Sequence, residues 1–165
     1  MRALAILVAA LAALPASGRD LGTMPFSGAM AIEWIAIEPG ADGVVTGRYR
    51  LRGGIDGDGA LGGEEALLSG FDIRCVGVMQ FGQGFLLSDE ASCRVTDRFG
   101  EGLWLDIRSG ADTWGWHRLT LTFADGTGPY ARVRGEGQVT RAMHTDPASR
   151  TPWGMFHGEV RWRLD

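Results

Sequence analysis

FADGTGPYARVRGEGQVT, residues Phe123 to Thr140, is a glycine-punctuated turn that runs straight into an alternating strand. Asp125, Gly126, Thr127 and Gly128 supply the positive-φ and side-chain-to-backbone options that a tight reversal needs, and Pro129 sets φ for the chain leaving it. Beyond this corner Val133, Gly135, Gly137 and Val139 fall on one face, and Arg134, Glu136, Gln138 and Thr140 fall on the other. That is the period of two of a half-buried strand. Two glycines on the inward face point to close approach of a neighbouring backbone, or to a bend at a barrel corner.

The same alternation recurs outward from this stretch. Leu119, Leu121 and Phe123 oppose Arg118, Thr120 and Thr122, while Leu103, Leu105 and Ile107 oppose Trp104, Asp106 and Arg108. Phe71, Ile73 and Cys75 oppose Asp72 and Arg74, and Tyr49 and Leu51 oppose Arg48, Arg50 and Arg52. In the last strand Phe156, Val160, Trp162 and Leu164 face inward against His157, Glu159, Arg161 and Arg163. Pro25 to Ile37 lacks a polar face and reads as a strand buried on much of both sides, with a helix as the alternative. Gly53 to Gly63 and Ala142 to Thr151 read as loops; Glu38 to Gly43, Gly82 to Gly84 and Asp97 to Gly100 read as turns. About eight short strands without a convincing helix mean a sandwich or a closed barrel, and closure removes the exposed edges. The expectation is an all-β, calycin-like, antiparallel barrel whose interior is filled by side chains or holds one small ligand.

The first 18 residues, MRALAILVAALAALPASG, pair one arginine with an apolar run from Ala3 to Leu14 and then small residues. This is the layout of a secretory signal peptide, with cleavage expected near Ala16 or Gly18 and an apolar run too short for a stable anchor. The expected organisation is a signal over 1–18 and one barrel domain over 19–165, secreted or periplasmic, without a stable membrane anchor. The 16 basic residues are all arginine against 20 acidic ones, and the net charge of −4 argues against a nucleic-acid partner. Arg48, Arg50 and Arg52, with Arg134 and Arg161, read as pairing across strands with Asp72, Glu136 or Glu159 rather than as an anion site. In an exported chain Cys75 and Cys93 are expected to form a disulfide, reachable if the hairpin between them carries a small bulge. Their spacing, without histidines at ligand distance, matches no zinc pattern, and no metal or other cofactor is implied.

Gly126, Thr127, Gly128, Pro129, Tyr130 and Ala131, followed by Gly135 and Gly137, resemble the GTG(K/R)(F/Y)AG…G…G signature of the allene oxide cyclase and dirigent barrel superfamily. Cys75-x-Gly77 and the segment SCRVTDRFG ending at Gly100 look similar to bacterial exported members of that barrel group. The pattern departs at Ala124-Asp125, where a second glycine pair is common, and at Arg132, where glycine is usual. The resemblance implies the barrel; plant members cyclise an epoxide or steer phenoxy-radical coupling in an apolar cavity. None of their working residues matches a position here, so no activity is implied.

The chain has no GxSxG, HExxH, CxxC or P-loop motif. The pattern Gly57, Gly59, Gly62 lacks the βαβ setting of a dinucleotide site, and Asp56 and Asp58 open a calcium-like loop that lacks its closing glutamate. His117 beside Trp114 and Trp116, and His157 with Glu159, read as outward residues on polar faces; His144 with Asp146 is too few ligands for a metal. The candidate ligand-binding set is Trp114, Trp116, Trp153 and Phe156 at a barrel mouth, with Glu33 or Tyr49 as the polar group in a dry cavity. Rim packing is the competing reading of the same aromatics. The sequence thus points to a non-catalytic barrel binding a small apolar ligand or a protein partner. Its alternatives are a cyclase- or isomerase-like enzyme and a dirigent-like homo-oligomer.

Overall fold

The computed structural model describes residues 19–57, 68–83, 85–109, 116–144 and 151–165; the expected signal peptide lies outside them. Eight strands run in chain order: β1 (Arg19–Pro39), β2 (Val44–Gly57), β3 (Phe71–Gly82), β4 (Phe85–Thr96), β5 (Gly102–Ser109), β6 (Trp116–Gly126), β7 (Val133–His144) and β8 (Trp153–Leu164). Each pairs antiparallel with the next, and β8 pairs with β1 to close the barrel, as expected. Phe26, Met30, Ile32, Leu51, Ile73, Val95, Leu103, Leu121, Val139 and Val160 are among the inward residues that merge into one core. This follows from strict alternation, because every second side chain enters a lumen that eight strands leave just wide enough to fill.

The organising corner is rigid for specific reasons. Gly128 has φ +51° and opens a short 3₁₀ turn, Gly128–Tyr130, that holds Pro129 before the strand begins at Val133. At Gly126 a Cβ would lie 2.2 Å from the Tyr130 carbonyl oxygen, so only glycine lets the chain fold back there. Thr127 receives the Gly102 amide on Oγ1 at 3.0 Å and gives its own amide to the Gly102 carbonyl at 2.8 Å. The Tyr130 hydroxyl donates to Asp97 Oδ2 at 3.2 Å, and its ring meets Phe71 edge-on at 5.5 Å. Gly135 and Gly137 are where neighbours come close: a Cβ on Gly135 would meet the Phe123 ring at 2.8 Å, and one on Gly137 the Glu159 carbonyl at 2.3 Å.

Several local expectations change. β1 is not buried on both faces: Ile35 and Ile37 are 50 % and 60 % exposed, while Phe26, Met30 and Ile32 face the core. Gly53 to Gly57 are strand rather than loop, paired to β1 from Met30 through Phe26. A Cβ on Gly53 would lie 2.2 Å from the Ala29 carbonyl, so the glycine serves close strand approach, and pairing on both sides outweighs its entropy cost. Ala142 to His144 likewise extend β7 instead of opening a loop. In the β3–β4 hairpin a bulge between Gln80 and Phe81 sets Cys75 opposite Cys93, and the two are disulfide-bonded, as expected. Arg52 faces Arg74 and not a carboxylate, and Arg134 pairs with Asp165 at 3.5 Å; the expected pairing with Asp72 does not form.

Candidate functional site

Among the inward positions of the apolar alternation that carry polar side chains, Tyr49 on β2, Asp89 on β4 and Arg141 on β7 are joined by hydrogen bonds. The Tyr49 hydroxyl donates to Asp89 Oδ1 at 2.7 Å, and Arg141 Nη2 donates to Asp89 Oδ2 at 2.5 Å. Asp89 is 0 % exposed and Arg141 2 %. A lone charge at such depth is costly, so the pair neutralises itself and both carboxylate oxygens are engaged. Trp34 meets Tyr49 edge-on at 6.1 Å and Phe81 at 6.1 Å, walling the cluster on the β1 side. Gly77, opposite Tyr49 on β3, makes room for the phenol: a Cβ there would lie 2.6 Å from Tyr49 Cζ.

The electrostatics favour donation over base catalysis. Burial pushes the Tyr49 phenol well above its ordinary pKa, and the negative charge of Asp89 pushes it further. The phenol therefore stays protonated as a hydrogen-bond donor, while Asp89 is committed to Arg141.

The cluster is not fully satisfied. Arg141 Nε and Ser109 Oγ are buried with no partner among the described residues. Ser109 stands opposite Asp89 at the end of β5, and His117, half-buried on β6, stands opposite Arg141. Polar groups from β2, β4, β5, β6 and β7 thus converge inside one end of the barrel. Next to them lies a cavity of about 40 Å³ walled by apolar side chains, including Leu105, Ile107, Leu119, Val139 and Phe156, with Arg141 its one charged wall. Arg141 is thus the one charged residue in the wall of an otherwise apolar space, and no polar atom of that wall is exposed to it.

The candidate residues separate. Tyr49 is in the cluster and Phe156 is buried opposite Arg141, its ring 6.2 Å from Phe26. Glu33 lies on the outer face opposite Arg50, because Ile32 and Trp34 take the inward phase of β1; it is not a cavity group. Trp153 is 51 % exposed and packs on His144 at 5.3 Å, so it and Phe156 occupy opposite sides of the wall. Trp116 opens β6 with its side chain outside the described residues, where Trp114 and Asp146 also lie. His157 and Glu159 are exposed, as expected, whereas His117 shares the inward phase of Leu119 and Leu121. Asp89, Ser109 and Arg141 escape a motif search. Their one signal is phase: Arg141 continues the inward series of Val133 and Val139, and Asp89 that of Ala91, Cys93 and Val95.

No family model matches the chain, and no curated protein or solved structure matches it. None of these comparisons identifies the family that the 126–137 stretch resembles.

Proposed function

We propose that this protein is a non-catalytic binding barrel whose interior takes a very small neutral molecule, apolar on one side and carrying one hydrogen-bond acceptor. The observation that carries the reading is buried Arg141, which stands in the wall of an apolar cavity and whose Nε has no partner among the described residues. Asp89 already balances the guanidinium charge, so a neutral acceptor such as a carbonyl suits Nε better than an anion does. Size decides the rest. The cavity of about 40 Å³ exceeds the ~10–15 Å³ a water needs, yet falls well short of the ~150 Å³ that accepts benzene. A ligand of about four non-hydrogen atoms gains at most ~6 kcal/mol, so its Kd is no tighter than about 40 µM. The cyclase-like alternative would call for a larger space than the cavity of about 40 Å³ that the described residues wall.

Acetamide is the probe. Titrated into ¹⁵N-labelled protein at millimolar concentration, it should shift the Arg141 Nε–H resonance saturably. It should also raise the Tm of the wild type but not of an Asp89→Leu/Arg141→Met double variant. A resonance that does not respond, or an equal Tm rise in the double variant, would sink the reading.

A further inference from the structure

On the outer face of the barrel Arg52, Arg74 and Arg94 stand directly opposite one another on β2, β3 and β4. All three are exposed, and none has a carboxylate within salt-bridge reach among the described residues. Like charges directly opposite in antiparallel strands destabilise a sheet. The row therefore costs stability where an alternation of sign would add to it. The next pair inward is the disulfide: Arg74 and Arg94 immediately adjoin Cys75 and Cys93, so a covalent bond on the core side holds β3 to β4 where the guanidinium groups repel on the other. Arg94 is further fixed by its donation to the Gly100 carbonyl at 3.0 Å and by lying 5.3 Å over the Trp104 ring. Trp104, opposite Arg94 on β5 and 37 % exposed, adds an apolar surface, and the exposed Asp125 of β6 stands opposite it and closes the row with negative charge.

We propose that this row binds a linear acidic polysaccharide lying across the strands, one carboxylate on each guanidinium and a sugar ring against Trp104. Three arguments select that partner. Strands repeat every ~4.8 Å, a pitch that one sugar ring spans, so consecutive carboxylates of a uronic-acid chain meet consecutive arginines. Arginine presents a planar fork that matches a carboxylate with two parallel hydrogen bonds. The row carries one aromatic, and a single-stranded nucleic acid wants a stacking platform for successive bases. Asp72 on β3 and Glu33 opposite Arg50 flank the row with negative charge, which limits the anion to the row itself. The site is on the outer wall and is independent of the interior cluster.

The test is titration of the full protein with tri-galacturonate, its methyl ester and a single-stranded oligonucleotide, at low and at physiological salt. Expected are binding of the free acid, weakening as salt rises, and loss on esterification. Arg74→Gln should weaken binding about tenfold or more, the worth of a hydrogen bond to a charged group. Arg108→Gln, outside the row, should leave it unchanged. Arg74→Gln should also raise the Tm without ligand, because it relieves the repulsion. An unchanged affinity or a lowered Tm in Arg74→Gln, equal binding of the ester, or preference for the oligonucleotide would each overturn the proposal.

Discussion

The buried pair Asp89–Arg141 admits a decisive perturbation, a double-mutant cycle with Asp89→Leu and Arg141→Met. Asp89→Leu strands a guanidinium that is 2 % exposed and also removes the acceptor of the Tyr49 hydroxyl. Breaking such a pair costs ~3–5 kcal/mol, and the abandoned phenol adds ~1–3 kcal/mol, so a combined loss of ~4–8 kcal/mol is expected. For a chain of this length ~2–4 °C of Tm accompanies each kcal/mol, which places the variant roughly 8–32 °C below the wild type. The double variant removes both desolvated charges together and should return to within ~2 kcal/mol of the wild type or exceed it. Urea unfolding with fluorescence and circular dichroism as separate probes gives the coupling energy, expected at ~3 kcal/mol or more. Single variants that cost under ~1 kcal/mol, or effects that simply add, would refute a mutually neutralised interior pair.

Two further predictions follow from the same wall and its staple. The chain has two tyrosines and no lysine, so its alkaline titration is uncluttered. The folded state holds the Tyr49 proton more tightly than the unfolded state does, because of burial and then Asp89. The associated stability is fully present below about pH 10 and is lost above it, at up to ~1.4 kcal/mol per pH unit. Tyr49→Phe should flatten that alkaline loss in Tm; a native phenolate absorbance for Tyr49 appearing at the ordinary pH would contradict the burial argument. Cys75→Ser opens a link across a sequence separation of 18 and should cost about 3 kcal/mol, or roughly 6–12 °C of Tm in non-reducing buffer. An unchanged melt would contradict a stabilising disulfide.

Much of the fold is local physics and so was legible. Period-two alternation in Leu119 to Phe123, in Val133 to Val139 and in Phe156 to Leu164 assigns both strand and inward face, since a one-residue slip would turn every apolar side chain outward. The Cys75–Cys93 hairpin needs one extra residue to bring the sulfurs together, and the bulge at Gln80/Phe81 supplies it. Glycine misled in one stretch, because Gly53 and Gly54 look like loop composition until β1 and β3 are seen pairing on both sides of them.

The candidate site was half legible. Tyr49 and Phe156 sit in clear inward phase, but Glu33 could be placed only once β1 was known to expose its other face. By itself the sequence determined the run of short strands and most of their inward faces, because these depend on neighbours a few residues away, whereas the pairing of β8 with β1 decided closed barrel over sandwich. Only the tertiary structure decided that Tyr49 and Asp89, 40 residues apart, and Asp89 and Arg141, 52 apart, meet at one buried point. It likewise decided that Arg52, Arg74 and Arg94 form a row. Those meetings are set by strand register around a closed circuit, where each pairing shifts the next, and no local pattern encodes their sum.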